Sequence, residues 1–335
     1  MLLTLLYYVA TVGVYFCIYN ILTWGLDIQF GYAGILDFAY IAFMAVGAYI
    51  TGVFTLGRSG PLSGQTYVLG LHAPFLIALV ASALAAGLLG GLVGFVALRR
   101  LRSDYMAIAM VALGTVSWDV AGNFTPLFNG WNGLSSVPSP FNGLLKLDPN
   151  TYTFFFLGLS IVITAVMWLI ASRLSRSPLA LVWRAIRDDE KAAEAYGRNV
   201  FRYRLVAMVV GCAFAGVAGS LFIGFLGAFN PSGWTTGETF LIWVAMLIGG
   251  RGNPIGSVIG AFLIPVLFTQ ASAFIPTVAS NPDLTAALQN AAVGILVILT
   301  LRFRPQGILP ARRRFYEVGT AGSAIKGAAE VPGVQ

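Results

Sequence analysis

The chain has 335 residues, of which 58% are hydrophobic and only 10% are charged, and its formal net charge is +7. This composition lies far outside the range of soluble globular domains and predicts an integral membrane protein. Basic residues on a membrane protein report its topology more often than contact with nucleic acid, so no nucleic-acid partner is expected.

Apolar runs long enough to cross a bilayer recur along the chain. A hydrocarbon core of about 30 Å requires about 20 apolar residues in a helix. We therefore expect an all-α, polytopic fold with about nine transmembrane helices, within a range of eight to ten. The count of nine helices depends on a short apolar run, 239–250, which is either a full span that begins near Trp234 or a half-helix. The predicted spans are 2–24, 34–56, 74–98, 104–122, 152–171, 205–226, 239–250, 255–273 and 285–301.

The basic residues are distributed unevenly about these spans. Eighteen of the twenty Lys and Arg residues fall on one side, and only Arg58 and Lys146 fall on the other. Because basic residues favour the cytoplasmic side, the N terminus is predicted outside and the C terminus inside the cell. The predicted domains are a transmembrane permease domain, 1–310, and a cytoplasmic tail, 311–335, whose basic and then small, polar composition predicts disorder.

Residues 25–40, between the first two spans, combine glycines with a glutamine and two aspartates. Polar groups at membrane depth are tolerated only where they face protein or a water-filled cavity. Asp37, with the neighbouring Tyr40, is therefore a candidate for the substrate pathway. The structural alternative is a buried acid that pairs with an arginine or caps a helix.

Two later spans contain small residues at every fourth position, at 83, 87 and 91 and at 211, 215 and 219. Such faces allow close helix packing, so we expect packing roles there. Asp119 lies toward the outer end of its span, and the Asn-Gly pairs that follow predict tight turns in an outer loop that can dip into the membrane. Further pathway candidates are thus Asp119, Asn129, Asn132 and Gly133.

The long charged loop 172–204 interrupts the apolar pattern. Ser177 and Pro178 are typical of a helix start, with the serine as a cap, and Gly197 is typical of a helix end. The sequence predicts a short helix or helix pair with one apolar face, which would contact another protein. The alternative is a solvated loop that only carries the positive-inside charge. The predicted apolar face consists of Leu181, Ala185, Ile186, Ala192 and Ala193.

The string Arg184-Ala-Ile-Arg-Asp-Asp-Glu190, followed by Ala192-Ala-Glu-Ala195 and Gly197, resembles the coupling loop of LivM-type permeases from branched-chain amino acid ABC importers. The general importer signature is Glu-Ala-Ala, three residues, Gly, and Lys191 stands here in place of the glutamate. Further similarity lies in the turns near 31–34, 130–134 and 249–256 and in the closing Arg304-Pro-Gln-Gly-Ile-Leu309. The resemblance covers residues 20 to 309.

This resemblance implies a permease in the bacterial plasma (inner) membrane that pairs with a second, LivH-type permease, two cytoplasmic ATP-binding subunits and an extracytoplasmic solute-binding protein. The cargo stays open among branched-chain amino acids, urea, short amides and aromatic acids, as does the choice between one permease type and two. The residues implied in coupling to the ATPases are Arg184, Ile186, Asp188, Glu190, Ala192, Ala193, Glu194 and Gly197.

Enzymatic chemistry is not expected from this sequence. It contains no Walker motif, so ATP hydrolysis would belong to other chains. The two cysteines, Cys17 and Cys212, lie within predicted spans, and no metal site or cofactor is predicted. Two rivals remain. An ion-coupled secondary transporter would use Asp37 and Asp119 as proton or sodium sites, and a structural membrane subunit would have the same topology without a substrate pathway.

Overall fold

The computed structural model of the chain is a helical bundle. It describes residues 2–57, 65, 67, 70–101, 103–142 and 148–268, together with 291, 294–295, 298–299, 302–303 and 307–309. This part of the chain contains no β-strand, only two isolated bridges. The helices are α1 Leu2–Leu26, α2 Tyr40–Thr55, α3 Phe75–Arg100, α4 Ser103–Asn123, α5 Thr125–Phe128, α6 Pro149–Arg176, α7 Pro178–Asp188, α8 Glu190–Ala195, α9 Val200–Leu226, α10 Thr236–Gly249 and α11 Pro254–Ala261. Helix α1 continues as a π-helical turn, Asp27–Tyr32, and α11 continues as another, Phe262–Phe268.

Five of the described helices, α1, α3, α4, α6 and α9, are long and apolar enough to cross a membrane. Helix α2 and the segment from Pro254 to Pro265 are shorter apolar helices. Helix α10 has 14 residues, which at 1.5 Å per residue gives about 21 Å, less than a bilayer core. The all-helical, polytopic class is confirmed. The total of nine spans stays a prediction, because 269–290 and most of 291–301 lie outside the described residues.

The first two spans are divided differently from the prediction. The first helix continues past residue 24 to Tyr32, and the second begins at Tyr40 instead of residue 34. Between them the chain is non-helical because Gly34 adopts a φ of +70° and the Asp37 carboxylate forms a local turn with the N–H of Ala39. Apolar length alone does not reveal such a break, since residues 33–39 are nearly as hydrophobic as the helices.

Helix α9 is the centre of the bundle. Of its most apolar window, 72% is buried, against 22–39% for the other four long helices. It packs on α1, α2 and α3 through small residues: a Cβ placed on Gly219 would lie 2.8 Å from the N of Ala48, and one on Gly90 would lie 2.6 Å from the Cβ of Cys212. The predicted packing role of these small-residue faces is confirmed.

The basic chain segments gather at one end of the bundle, which we call the basic end. The ends of α1, α3 and α6, the starts of α7 and α9, and the turn 250–254 meet there: the Trp24 indole donates to the carbonyl of Pro254 at 2.9 Å, and Gly34, Leu101 and Arg204 line one small cleft. At the opposite end the loop 129–137 pairs with the loop after α9 through Leu134 and Phe229.

Candidate functional site

Helices α7 and α8 form a short pair at the basic end of the bundle, and the sequence start and stop signals explain its limits. Pro178 occupies the first turn of α7, and α8 ends where Gly197 adopts a φ of +76°. The N–H of Arg198 donates to the carbonyl of Ala193 at 3.1 Å, which completes a Schellman cap. Asp189 separates the helices and caps α8 by accepting the N–H of Ala192 at 3.0 Å. The predicted helix pair, with its proline start and glycine stop, is confirmed.

Ser177 does not cap α7 as predicted. Its Oγ donates to the carbonyl of Leu174 at 2.6 Å, and no side chain accepts a hydrogen bond from the first turn of α7. The end of α6 lies so close that its free carbonyl competes for the hydroxyl. Pro178 has no N–H, and the N–H of Ala180 donates to the backbone carbonyl of Ser177 at 3.1 Å, so the N–H of Leu179 is left without a side-chain acceptor.

The prediction that five residues form one apolar face was wrong, because Ile186 and Ala193 are buried against the bundle whereas Leu181, Ala185 and Ala192 are exposed. The backbone is extended at Asp189, with φ −154° and ψ 107°, so one helical register does not run through both helices. The buried face consists of Ala180, Trp183, Ile186 and Ala193.

Trp183 anchors the short pair on the bundle. Its side chain is 1% exposed, and its indole N–H donates to the carbonyl of Tyr203 in α9 at 2.7 Å. On the other flank, the Arg187 guanidinium donates to the carbonyl of Gly31 in the π-helical turn after α1. An ion pair of 2.9 Å joins Arg204 to Glu190. The short pair is thus attached to both α1 and α9.

The eight predicted coupling residues divide into two groups. Ile186 and Ala193 are buried in the anchor, and Arg184 is half-buried with its guanidinium 4.9 Å from the centre of the Tyr32 ring. The remaining residues are exposed and form one outward surface, which we call the outward face. Its members are Asp188, Glu190, Ala192, Glu194 and Gly197.

Asp37 is fully buried, between α2, α9 and α10. Its Oδ1 accepts the N–H of Ala39 at 3.0 Å, and its backbone carbonyl accepts the indole N–H of Trp243 at 3.0 Å. Within the described part of the chain, its Oδ2 has no hydrogen-bond partner. The neighbouring Tyr40 is also buried and donates to the carbonyl of Gly211 at 3.2 Å. The turn that Asp37 forms just before α2 agrees with the structural alternative of a buried acid at a helix start. Its Oδ2 remains available to a further donor.

The other pathway candidates lie apart from Asp37. Asp119 is exposed on α4, so the two acids do not share an enclosed site. Asn129 is buried at a φ of +66° and donates to the carbonyl of Gly133 at 2.8 Å. These two residues shape a tight turn, and Asn132 between them is exposed.

A cavity of about 290 Å³ lies where two discontinuous helices begin. The Thr239 hydroxyl in the first turn of α10 accepts the N–H of Ile41 in the first turn of α2 at 3.3 Å. Glu238 lines the cavity and accepts a hydrogen bond from the hydroxyl of Tyr19 at 3.4 Å. Tyr15 is a further polar neighbour. The apolar wall consists of Ile18, Leu22, Ile41, Met44 and Phe222.

Sequence reasoning missed two acids that occupy central positions. Glu238 directly precedes the predicted run 239–250, so it was assigned to a loop, although α10 begins at Thr236. Asp27 accepts the N–H of Gly252 at 2.6 Å and thereby ties the end of α1 to the glycine-rich turn. Glu238 and Asp27 each lie within one helical turn of an apolar run, and this position is the sequence feature that could have identified them.

The fold and these sites define a class: a multi-pass, all-helical membrane protein with a mainly apolar cavity that contains one acid, and with an anchored helix pair at one end. A family model described as "Branched-chain amino acid transport system / permease component" matches residues 8–301. The chain belongs to this family. It is an ABC transporter permease subunit, with a transport role and not an enzymatic one.

Three relatives illustrate the range of the family. The chain is 30% identical over 317 residues to the high-affinity branched-chain amino acid permease LivM of Escherichia coli (strain K12), covering 88% of this chain and 68% of the relative. It is 24% identical to LivH of the same organism, covering 87% and 91%. It is 28% identical to the guanosine ABC transporter permease NupQ of Bacillus subtilis (strain 168), covering 69% and 71%. No solved structure matches the chain.

Proposed function

We propose that this chain is one permease subunit of an ABC importer for branched-chain amino acids or related small polar solutes in the bacterial plasma (inner) membrane. In this proposal the basic end is cytoplasmic, the N terminus is outside and the chain crosses the membrane nine times. The observation that carries the proposal is the short pair: it is anchored to two transmembrane elements on one side and presents a charged, small-residue surface on the other.

Coupling follows from this attachment. A force applied to the outward face passes through Trp183 to α9 and through Arg187 to the turn after α1. Because α9 is the buried centre of the bundle, a displacement of its cytoplasmic end changes how the other helices pack. The outward face therefore contacts an ATP-binding subunit, and closure of that subunit on ATP rocks the permease between its two access states.

The partners of the proposal are a second, LivH-type permease, two cytoplasmic ATP-binding subunits and an extracytoplasmic solute-binding protein. The similarity of this chain to both LivM and LivH of one bacterium supports a pair of related permeases. Exposed apolar side chains on α3, α4 and α6 provide surface for the bilayer and for a partner permease. Affinity purification in mild detergent followed by mass spectrometry is expected to recover these chains.

The cargo path of the proposal includes the cavity beside Glu238. A carboxylate and two tyrosines face an aliphatic wall, which suits an ammonium group attached to an aliphatic side chain. Asp37 and Tyr40 lie further toward the basic end and complete the path, with Asp119, Asn129, Asn132 and Gly133 at its outer mouth.

Reversing the charge of the outward face tests the coupling. In reconstituted vesicles, Asp188→Lys combined with Glu194→Lys is expected to lower uptake at least about tenfold while the partner chains still hydrolyse ATP, because like charges across an interface cost several kcal/mol. Asp104→Lys, an exposed acid at the start of α4, serves as the control. Normal uptake by the double variant would remove the coupling role, and uptake without any ATPase would favour an ion-coupled carrier.

Glu238→Gln tests the cargo path. Loss of a hydrogen bond to a charged group costs about 1.5–3 kcal/mol, so the KM for amino-acid uptake is expected to rise about tenfold or more. Complex assembly and ATP hydrolysis are expected to persist. Asp148→Asn, which removes an exposed carboxylate at the start of α6, is the matched control. An unchanged KM in Glu238→Gln would exclude this cavity while leaving the coupling proposal intact.

A further inference from the structure

A second and larger cavity, of about 470 Å³, lies at the basic end of the bundle. It is enclosed by the last turns of α6, the first turn of α7 and the turn that leads into α11. This cavity is separate from the proposed cargo path, because it shares no lining residue with the cavity beside Glu238. It therefore needs an explanation of its own.

The charged side chains that line this cavity are basic, and one buried acid, Asp27, lies behind its wall, where it accepts the N–H of Gly252 and faces Arg184. Arg176 and Arg184 line it, and the described lining residues include no Asp or Glu. Three serines of the same wall donate their hydroxyl protons to carbonyls of α6, so they are not free donors. Asp27 offsets part of the charge of Arg184, whereas Arg176 has no acid among the described lining residues, so the lining keeps a net positive charge that favours an anion.

Two buried polar atoms at the cavity have no hydrogen-bond partner in the described structure. Tyr32 is 3% exposed, and its hydroxyl is unpartnered. The Nε of Arg184 is also unpartnered, and its guanidinium stacks on the Tyr32 ring at 4.9 Å. Arg184 and Ser175 are the polar neighbours of the Tyr32 hydroxyl, and Ser175 already donates to the carbonyl of Ser172. Because buried donors are normally satisfied, an acceptor in the cavity would complete this group.

The first turn of α7 adds one further donor. No side chain caps it, because the Ser177 hydroxyl is bonded to Leu174. Pro178 has no N–H, and the N–H of Ala180 donates to the carbonyl of Ser177 at 3.1 Å, so this turn offers the N–H of Leu179 to an anion. Two guanidinium groups, a phenol and a helix N–H provide more donors than a carboxylate or a chloride ion can occupy, whereas a phosphate group has several acceptor oxygens for them.

We propose that this cavity binds the phosphate group of an anion, supplied either by the headgroup of an anionic phospholipid or by free phosphate. The apolar residues at its rim favour the lipid: Trp168, Leu181 and Ile255 are 43%, 41% and 61% exposed. In this position the phosphate group bridges α6 and α7 and fixes the short pair to the bundle. The site does not depend on which cargo the permease carries.

The test uses the purified full chain in mild detergent. Native mass spectrometry compares binding of phosphatidylglycerol with that of phosphatidylcholine, and a thermal-unfolding assay compares inorganic phosphate with chloride at equal ionic strength. Each basic residue near a membrane surface contributes about 1 kcal/mol to anionic-lipid binding. Arg176→Gln and Arg184→Gln are therefore each expected to weaken phosphatidylglycerol binding about fivefold or more.

Arg173→Gln is the matched control, because Arg173 lies one turn before Arg176 on α6, is exposed and does not line the cavity. If Arg176→Gln lowers the preferential binding of phosphatidylglycerol and Arg173→Gln does not, the site binds a lipid headgroup. Stabilisation by inorganic phosphate with the same variant pattern and no lipid preference assigns it to free phosphate. Equal behaviour of wild type, Arg176→Gln and Arg173→Gln in both assays overturns the proposal. If Arg184→Gln fails to fold, Arg184→Lys replaces it, because a lysine keeps the positive charge and is expected to retain binding.

Discussion

Gly197 shows how one residue sets the shape of the outward face. Its φ of +76° lies in the left-handed region, and a Cβ at this position would meet no atom within 4 Å. The requirement for glycine is therefore conformational and does not come from crowding. The Schellman cap that it forms turns the chain from α8 into α9.

We predict that Gly197→Val uncouples ATP hydrolysis from uptake, because a left-handed conformation costs an ordinary residue about 1–2 kcal/mol and a β-branched one more. Gly197→Asn, which tolerates this conformation, is expected to retain most of the coupling. The measurement is uptake per ATP hydrolysed in reconstituted vesicles, with protein levels in the membrane equal for both variants. Equal coupling in Val and Asn variants would show that the turn geometry is unimportant.

The short pair, as an element, owes its stability to tertiary contacts. Its two helices have 11 and 6 residues, and isolated helices below about 12–15 residues are marginal in water. The buried indole of Trp183, hydrogen-bonded to α9, is the largest anchor. Without it the exposed, charged parts of the pair have little reason to stay folded on the bundle.

We predict that Trp183→Ala detaches the short pair, since removal of a buried tryptophan side chain costs about 3–5 kcal/mol. Limited proteolysis from the cytoplasmic side is expected to cut between residues 188 and 198 in this variant but not in wild type. Trp131→Ala, an exposed tryptophan in the loop at the opposite end of the bundle, is the control. Equal protection of Trp183→Ala and wild type would refute the anchoring role.

The α2–α9 interface depends on the absence of side chains. A Cβ on Gly219 would lie 2.8 Å from the backbone N of Ala48, whereas one on Gly158 in α6 would meet nothing within 4 Å. Gly219→Ala is therefore predicted to lower the temperature at which the purified protein aggregates, as measured by size-exclusion chromatography after heating. The reason is that the two helix backbones must move apart to accept the added methyl group. Gly158→Ala, in an open position, is predicted to leave that temperature unchanged or to raise it slightly. The reverse order of the two variants would contradict the packing argument.

At the scale of the whole molecule, the bundle has two chemically different ends. The short pair and the ends of α3 and α6 carry arginines, whereas the opposite end carries the loop around Asn132. The only two cysteines of the chain, Cys17 and Cys212, are buried. Single introduced cysteines can thus report the orientation with little background.

We predict that Tyr196→Cys, at a position that is 87% exposed in the wild type, reacts with a membrane-impermeant thiol reagent only in inside-out vesicles. Asn132→Cys is expected to react only in right-side-out vesicles. This pattern follows from the positive-inside rule applied to the basic end. Labelling of both positions from the same side would contradict the bundle, and the exchanged pattern would contradict the orientation.

The sequence by itself determined the membrane class, the packing role of the small-residue faces, the helix pair between residues 178 and 195, and the family. These features depend on local composition and spacing, since apolar length, glycine periodicity and the Pro178 and Gly197 signals need no distant partner to be read. The count of nine spans and the coupling and pathway roles remain predictions.

Only the tertiary structure decided which side chains are buried and which meet. In the short pair, Trp183 is buried against α9, whereas Leu181, Ala185 and Ala192 are exposed, because Asp189 breaks the helical register between the two helices. The tertiary structure also separated Asp37 from Asp119 and brought Glu238 to Tyr19, 219 residues apart in sequence. Such contacts depend on how discontinuous helices are placed against one another, and that placement is not encoded in any single stretch of the chain.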